Sequence, residues 1–308
     1  MTMRRRHFLQ VSDLSAAEIA ELFRVAAHLK RTRRGKLRPL AGKTLGLLFH
    51  KPSVRTRVSF EVGMAELGGR SLYIGPVELQ HGQREAPRDV AQVLARYLDG
   101  IVARTFQHRD LEEMAAVSRI PIINGLSDFT HPCQALADLF TLQEKLGKLR
   151  GARLAFVGDG NNVCHALMQA CALTGMHLAI STPAGYRPHQ ATLRAVQPIA
   201  RRTGGSVRWI AQPAEAVRRA QAVYTDVWTS MGQEGEGRRR RIVFRRFQVN
   251  ARLMRQASRG AFFLHCLPAH RGEEVTDDVL DSPRSIVYDQ AENRLHVQKA
   301  ILLRLLRP

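Results

Sequence analysis

The sequence predicts an α/β protein of two domains, each a parallel β-sheet flanked by helices. The chain has 308 residues, more than a single compact core usually holds. Short apolar runs of strand length alternate with longer runs at helical spacing, the pattern of βαβ units. A glycine-bounded segment at 147–151 marks the boundary. We therefore predict domains at 1–147 and 148–288 and a C-terminal helix, 289–308, that packs back on the first domain.

The first predicted domain begins with a helix over about residues 15–32. Ser15 and Glu18 form a capping-box pattern, and apolar residues then recur at helical spacing. Residues 75–88 are polar and without periodicity, which predicts a long functional loop. The other elements predicted for this domain are strands at 44–49, 71–74, 100–104 and 121–125 and helices at 58–67, 89–98 and 132–146.

The second predicted domain begins with a strand that runs into a turn containing Gly158 and Gly160. The turn lacks the third glycine of the dinucleotide fingerprint, because position 163 is Val, and no acidic residue ends the next strand. We therefore exclude NAD binding. The elements predicted here are strands at 153–157, 177–180, 222–226, 261–265 and 285–288, a helix ending at 174 and a last helix at about 289–306.

Charge and cysteine content narrow the function classes. The net charge of +20 comes mostly from arginine and attracts anions, either small phosphates or nucleic acid. We see no nucleic-acid-binding module and few aromatic residues, so a solvated arginine-rich surface is the favoured interpretation. The four cysteines show no C-x-x-C pairing, and no apolar stretch is long enough for a membrane span. These features predict a cytoplasmic protein without a structural zinc site.

The segment 53–57 is the most informative stretch of the chain. It places two arginines and two hydroxyls between a predicted strand and a predicted helix: Ser53, Val54, Arg55, Thr56 and Arg57. A helix N-terminus already attracts anions, and guanidinium forks suit phosphate oxygens. A solvated basic helix start would be the simpler interpretation of an isolated Arg-x-Arg. Two hydroxyls interleaved with two arginines favour a phosphate site.

Four further motifs follow in a fixed order along the chain. Together with Ser53-Val54-Arg55-Thr56-Arg57, they resemble the aspartate/ornithine carbamoyltransferase family over nearly the whole length. The last two resemble the ornithine branch of that family. The motifs are Arg104 at a strand end, His131-Pro132-Cys133-Gln134 at a helix start, Asp226 with Ser230-Met231-Gly232, and His265-Cys266-Leu267-Pro268.

The resemblance implies a carbamoyl transfer reaction. Its substrates would be carbamoyl phosphate and the δ-amine of L-ornithine, and its products L-citrulline and phosphate, in arginine metabolism. It further implies an active site in the cleft between the two domains, with no cofactor and no metal. Other members of this class act on other amines, so putrescine, acetylornithine and aspartate stay open as alternatives. A nucleic-acid-binding protein and a catalytically silent family member also stay open.

The resemblance assigns roles to individual residues. Arg104, His131, Cys266 and Asp226 would be catalytic, with Arg104, His131 and Thr56 on the carbonyl oxygen and Gln134 on the carbamoyl amide. L-Ornithine would be held by Asn162, Asp226, Ser230 and Met231. Carbamoyl phosphate would be held by Ser53, Val54, Arg55, Thr56, Arg57, Gln80, Arg104, His131, Pro132, Cys133, Gln134, Cys266, Leu267 and Arg294.

Three further expectations follow from the same resemblance. A homo-oligomer, a trimer or a multiple of one, would complete each active site with Gln80 from the 75–88 loop of a neighbouring subunit. The arginine-rich segment 233–246 would be a mobile closing loop. Cys266 would act on the substrate amine, although a small buried apolar role is the commonest one for a free cysteine.

Overall fold

The chain folds into two compact units. The first comprises Met1–Ala137 and Glu292–Pro308, and the second comprises Asp138–Ala291. Two predicted site residues, Gln80 and Met231, lie outside the described residues. The computed structural model describes residues 7–32, 38–79, 85–230 and 232–307.

The first unit is built on a parallel sheet. Its strands are ordered β2-β1-β3-β4. The chain places β2 on one side of β1 and β3 on the other, so the strand order reverses between β1 and β3. The loops that follow β1 and β3 run in opposite directions from the carboxyl ends of these strands, so a crevice forms between them. The strands are β1 (Thr44–Phe49), β2 (Arg70–Ile74), β3 (Gly100–Arg104) and β4 (Ile122–Leu126).

Helices flank this sheet. The first begins as the sequence predicts, and the second begins at Val54, four residues before the predicted start at 58. Ser15 and Glu18 form the capping box of the first helix. Ser53 caps the second, with its Oγ accepting a hydrogen bond from the Thr56 backbone N–H at 3.4 Å. The helices that begin in this unit are α1 (Ala16–Arg31), α2 (Val54–Glu66), α3 (Pro76–Leu79), α4 (Pro87–Leu94), α5 (His108–Val117) and α6 (Pro132–Leu146), the last of which continues into the second unit.

The second unit is also a parallel sheet, ordered β7-β6-β5-β8-β9. The order reverses here between β5 and β8. Each strand is short, and all except the edge strand β7 are mostly buried, because helices cover a parallel sheet on its faces. The strands are β5 (Arg153–Val157), β6 (His177–Ser181), β7 (Ser206–Trp209), β8 (Ala222–Thr225) and β9 (Phe262–His265).

The helices of the second unit complete the α/β pattern. Its core joins strand residues such as Val223 and Phe263 to helix residues such as Val279 and Val287. The helices are α7 (Asn162–Thr174), α8 (Gln190–Thr203), α9 (Pro213–Val217), α10 (Gly237–Phe244), α11 (Ala251–Met254), α12 (Asp277–Leu280) and α13 (Val287–Leu306), the last of which ends in the first unit. The predicted class, two α/β domains with parallel sheets, is confirmed.

Three local predictions are wrong. Residues 285–288 do not form a strand: Ser285 makes an isolated bridge to Phe263, and α13 begins two residues later. Residues 75–88 are not wholly irregular, because α3 lies within them and α4 begins at Pro87. The segment 233–246 is helical over most of its length rather than a loop, with α10 between two short 3₁₀ turns.

Across the described residues, none of the helices has the length and apolar character required to cross a membrane.

Candidate active site

In the first unit, a group of polar side chains gathers where the strand order reverses between β1 and β3. Thr56, in the first turn of α2, is fully buried. Its Oγ1 accepts hydrogen bonds from the Ser53 hydroxyl at 3.2 Å and from the Arg294 Nη2 at 2.9 Å. Arg294 comes from α13 and is also buried. The helix start and the C-terminal helix therefore meet at one hydroxyl.

Arg104 ends β3, and an irregularity in the sheet accompanies it. Ala103 pairs with Asn124, but Arg104 pairs with Leu126, so Gly125 is left over as a bulge. A Cβ at Gly125 would lie 3.1 Å from Val102 Cγ1, closer than most side chains tolerate. Bulges commonly reorient a neighbouring side chain beside a functional site. Arg104 is only 5% exposed here.

His131 lies among the arginines of this group. Burial, followed by the positive charges of Arg294, Arg104 and Arg55, holds the pKa of His131 well below its usual value. The imidazole is therefore neutral at physiological pH and presents one donor and one acceptor. Within the described ranges, its Nδ1 has no hydrogen-bond partner.

The start of α6 places three further predicted residues beside His131. Pro132 is the first residue of the helix, and the Gln134 backbone N–H donates to the His131 carbonyl at 3.1 Å. The Cys133 thiol donates to the Asn124 carbonyl at 3.5 Å. Burial raises the pKa of Cys133 to about 12, so this cysteine is an uncharged packing residue. Gln134 is fully buried.

Arg57 lies apart from this group. Its Nε donates to Glu61 Oε1 at 3.0 Å, and its guanidinium carbon lies 3.8 Å from the centroid of the Tyr73 ring. Residues two apart on a helix do not share a face, so Arg55 and Arg57 point in different directions. The charge of Arg55 contributes to the lowered pKa of His131, whereas the guanidinium of Arg57 is engaged with Glu61 and Tyr73. Val54 is largely exposed, which leaves only its backbone for a ligand.

In the second unit, a different group gathers where the strand order reverses between β5 and β8. Asp226, directly after β8, is 4% exposed. Its Oδ2 accepts from Asn161 Nδ2 at 2.7 Å, and its Oδ1 accepts from the Cys266 thiol at 2.9 Å. Asn161 caps α7, where its Oδ1 accepts from the backbone N–H of Val163 and Cys164. Asp226 and Cys266, which follow the carboxyl ends of the paired strands β8 and β9, therefore meet at one edge of the sheet.

Asn161 was not among the predicted substrate ligands, although Asn162 was. Asn162 is the first residue of α7, and the amide of Asn161 both caps that helix and holds Asp226. An Asn at a strand-to-helix turn is a cap signal that sequence reading can find. The hydrogen bond from Asn161 to Asp226, in contrast, depends on the pairing of β5 with β8.

The residues after Cys266 are held in an unusual backbone conformation. Leu267 has a φ of 59°, a left-handed value that is rare for a branched side chain. Its backbone N–H donates to His265 Nδ1 at 2.8 Å, and His265 Nε2 lies 3.2 Å from Glu274 Oε1. The Nδ1 lone pair is thus used, so His265 must donate from Nε2 to the buried Glu274.

The hydrogen bonds of the His265 ring also bear on whether a metal ion could bind here. Asp226, His265 and Cys266 each offer a ligand atom within 4.8 Å of the others. Both ring nitrogens of His265 already bond to protein atoms, so an ion there would have to displace a structural hydrogen bond. The geometry fits an organic substrate better than a metal.

A buried ion pair supports the segment that contains Ser230. Arg240, on α10, donates from Nη1 to Asp159 Oδ2 and to the Trp228 carbonyl, both at 2.8 Å. Burial raises the pKa of Asp159 to about 6, against the lowering effect of Arg240. No local sequence signal identifies this pair, because Arg240 is one of four consecutive arginines and only the fold selects the one that turns inward. The Ser230 backbone N–H donates to Gln233 Oε1 at 3.2 Å.

Each group has its own chemical character. The first presents buried guanidinium groups and a neutral imidazole, which suit a dianion and an adjacent carbonyl oxygen. The second presents one buried carboxylate with an amide and a thiol, which suit an ammonium or amine.

Comparison with known proteins agrees with this division. Residues 6–144 match the family model "Aspartate/ornithine carbamoyltransferase, carbamoyl-P binding domain", and residues 150–305 match the model of the "Asp/Orn binding domain" of the same family. The chain belongs to the aspartate/ornithine carbamoyltransferase family.

Relatives similar to this chain are named for one branch of that family, ornithine carbamoyltransferase. An ornithine carbamoyltransferase of Anoxybacillus flavithermus is 51% identical, over 99% of this chain and 98% of that protein. An anabolic ornithine carbamoyltransferase of Pyrococcus furiosus is 51% identical, over 96% and 95%. A solved structure of ornithine carbamoyltransferase from P. furiosus superposes with a TM-score of 0.95 at 48% identity, covering 99% of this chain and 98% of that one.

Proposed function

We propose that this protein transfers the carbamoyl group of carbamoyl phosphate to the δ-amine of L-ornithine, giving L-citrulline and phosphate. The observation that carries the proposal is the buried group formed by Thr56, Arg104, His131 and Arg294 in a chain of this family. The ornithine specificity is supported by relatives of about half identity that bear that name over nearly their full length.

The first group binds and activates carbamoyl phosphate. The N-terminus of α2 offers backbone N–H groups and the positive end of the helix dipole to the phosphate, with Ser53 and Arg55 beside it. Arg104 and His131 donate to the carbonyl oxygen, on which negative charge develops during attack. A neutral His131 donates without adding a fourth charge to three arginines, which is why its low pKa suits the role.

The second group binds the amine substrate. In this proposal Asp226 attracts the cationic amine, and Cys266, whose thiol donates to Asp226 Oδ1 at 2.9 Å, orients the nucleophile. The δ-amine must lose its proton before attack, because its lone pair forms the new C–N bond as the C–O bond to phosphate breaks. Asn162 and Ser230 hold the α-amino and α-carboxylate groups. The roles of Met231, Cys266, Leu267 and the predicted interdomain cleft stay predictions.

The experiment is citrulline formation from carbamoyl phosphate with a panel of amines. We expect product with L-ornithine and at most trace product with putrescine, acetylornithine or aspartate. The Arg104→Ala variant is the matched control, because it removes the carbonyl donor without touching the amine site. Preference for another amine would change the assigned substrate, and no product with any amine would indicate a catalytically silent family member.

We further propose a homo-oligomer, a trimer or a multiple of one, in which Gln80 of one subunit reaches the carbamoyl phosphate of its neighbour. In a cyclic assembly each subunit both gives and receives one such loop. Mixing a Gln80→Ala variant with an Arg104→Ala variant, after dissociation and reassembly, tests this. Hybrids should regain activity, because some interfaces pair an intact loop with an intact pocket. A monomer in solution, or inactive verified hybrids, would refute the shared site.

The proposed location is the cytoplasm. The four cysteines are free thiols, and Cys133, Cys164 and Cys171 are buried, as is common in a reducing compartment. Fractionation of the native host with a cytoplasmic marker enzyme checks this.

A further inference from the structure

A shallow recess of about 570 Å³ lies in the second unit, at the amino-terminal end of β9. Residues of α11, of the turn before β9, and of the 278–284 segment line it. Cys266 follows the opposite, carboxyl end of the same strand, about 13 Å away at the rise of an extended strand. The recess is therefore separate from the candidate active site.

Three exposed arginines dominate its rim: Arg255, Arg259 and Arg284. Among the residues that the structure describes, none of the three forms an ion pair, and the one acidic lining residue, Asp278, pairs with none of them. Arg271 shows the contrast, because it bonds to both Asp277 and Asp281. The positive charge of the recess is therefore not cancelled locally.

One of these arginines packs against the turn before β9. The guanidinium of Arg284 lies against Gly260, with its carbon 3.3 Å from where a Cβ would stand, and 5.9 Å from the Phe262 ring centroid. Gly260 has a φ of +78°, which favours glycine, so the close approach is built into the turn. A partly preorganised guanidinium loses less freedom when it binds a ligand.

The neighbouring turn adds charge. Arg218 and Arg219 lie in the turn before β8, which begins at Ala222. The Ser258 backbone N–H donates to the Ala220 carbonyl at 3.0 Å, which joins that turn to the recess wall. Arg219 is held at a φ of 63°, a left-handed value that costs energy for a residue with a Cβ. Clustered like charges raise the local concentration of anions.

The floor is different in character from the rim. Apolar residues such as Met254, Ala257 and Val279 form it, and Ser258 and Ser282 supply hydroxyl groups. Small-molecule pockets are commonly about 300–1,000 Å³, mainly apolar, with a few polar groups at fixed places. Guanidinium forks match phosphate oxygens in particular. An organic molecule that carries phosphate fits both surfaces.

We propose that this recess binds an organic phosphate, a small molecule with at least one phosphate group and an apolar or aromatic portion. The phosphate lies against Arg255, Arg259 and Arg284, and the organic portion covers the floor. A polynucleotide fits less well, because the recess is bounded and few aromatic side chains are available for base stacking.

Calorimetric titration of the full chain with ADP near physiological salt tests the proposal. To weaken the phosphate site of the first unit, we would use the Arg55→Ala background throughout, because Arg55 lies beside the proposed phosphate position at the start of α2. We expect saturable ADP binding, weakened about tenfold or more by Arg255→Ala or Arg284→Ala, since each removes a charge-assisted contact. The matched control is Arg252→Ala, an exposed arginine close by in the chain that does not line the recess. It should bind ADP as the background does.

Other outcomes refute the proposal. These are no ADP binding, equal loss in Arg252→Ala, or unchanged binding in both recess variants. If inorganic phosphate bound as tightly as ADP, the proposed contact between the organic portion and the floor would be refuted. If a single-stranded oligonucleotide bound but ADP did not, the recess would belong to a polynucleotide-binding surface instead. The readout is binding, so failure here leaves the proposed carbamoyl transfer unaffected. In the native background, Arg284→Ala should keep normal citrulline formation, which verifies its fold.

Discussion

The two polar groups occupy the same topological place in their sheets but have opposite charge. In the first unit, the positive charges of Arg55, Arg104 and Arg294 act on a buried, neutral His131. In the second, one buried Asp226 gathers an amide and a thiol. Both lie at the carboxyl ends of strands where the strand order reverses. Topology thus sets where a ligand binds, and the side chains set which charge it carries.

The comparison also separates two arginines that look alike in the sequence. Arg55 affects the pKa of His131, whereas Arg57 bonds to Glu61 and stacks on Tyr73. Two residues on one helix start therefore belong to different environments. A basic motif predicts that an anion site exists, but not which of its arginines faces that site.

The largest expected effect is at Arg104. Arg104→Ala should lower kcat/KM about 100- to 1,000-fold, because it removes a donor to the developing oxyanion. Steady-state citrulline formation measures this, with thermal melts on the same samples to verify the fold. Arg57→Ala is the matched control, and it should lose less than about tenfold, since an exposed ion pair contributes little. Equal losses in both variants would contradict the separation of the two arginines.

The next effect is on pH dependence. The apparent affinity for ornithine should improve about tenfold per pH unit from pH 6 toward 9, because the neutral δ-amine is the reactive form and a lysine-like amine has a pKa of about 10.4. His131 does not titrate in this range, because its pKa is lowered well below its usual value. Ornithine saturation curves at several pH values measure the slope. A flat dependence would mean that the protonated amine binds productively.

Asp226 should show a smaller and more selective effect. Asp226→Asn keeps the shape but removes the charge, and we expect KM for ornithine to rise about 10- to 100-fold, the usual range for a charged hydrogen bond. KM for carbamoyl phosphate should change less than about twofold if the two groups divide the substrates as proposed. Varying each substrate separately gives both constants. If both KM values rose together, the two polar groups would not bind the two substrates separately.

The smallest expected effect concerns stability. The pKa of His131 is depressed in the folded state, so below about pH 6.5 the unfolded chain takes up a proton that the folded chain does not. As the pH is lowered below that point, the free energy of unfolding should therefore decrease, by at most about 1.4 kcal/mol per pH unit from this residue. Urea unfolding of wild type and His131→Gln at pH 7.5 and 5.5 measures it. The variant should lose less stability on acidification, and an identical loss would show that His131 is not buried neutral.

Local signals in the sequence predicted much of the fold. Ser15 and Glu18 were readable as a helix start because caps depend on residues within one turn, whereas the apolar spacing that predicted a helix from 58 missed the first turn of α2. Strand ends at Arg104 and His265 followed from short apolar runs. The same signal failed at 285–288, where a short apolar run is equally consistent with the start of a buried helix.

The sequence by itself determined the α/β class, the family, and most of the residue types that the site needs, because periodicity, caps and ordered motifs are local properties of the chain. Tertiary structure alone decided the strand order, the bulge that accompanies Arg104, the bond from Arg294 to Thr56 and the choice of Arg240 among four arginines. Those features join residues as much as 238 positions apart. Contacts at such separations depend on how strands and helices pack together, which no local pattern encodes.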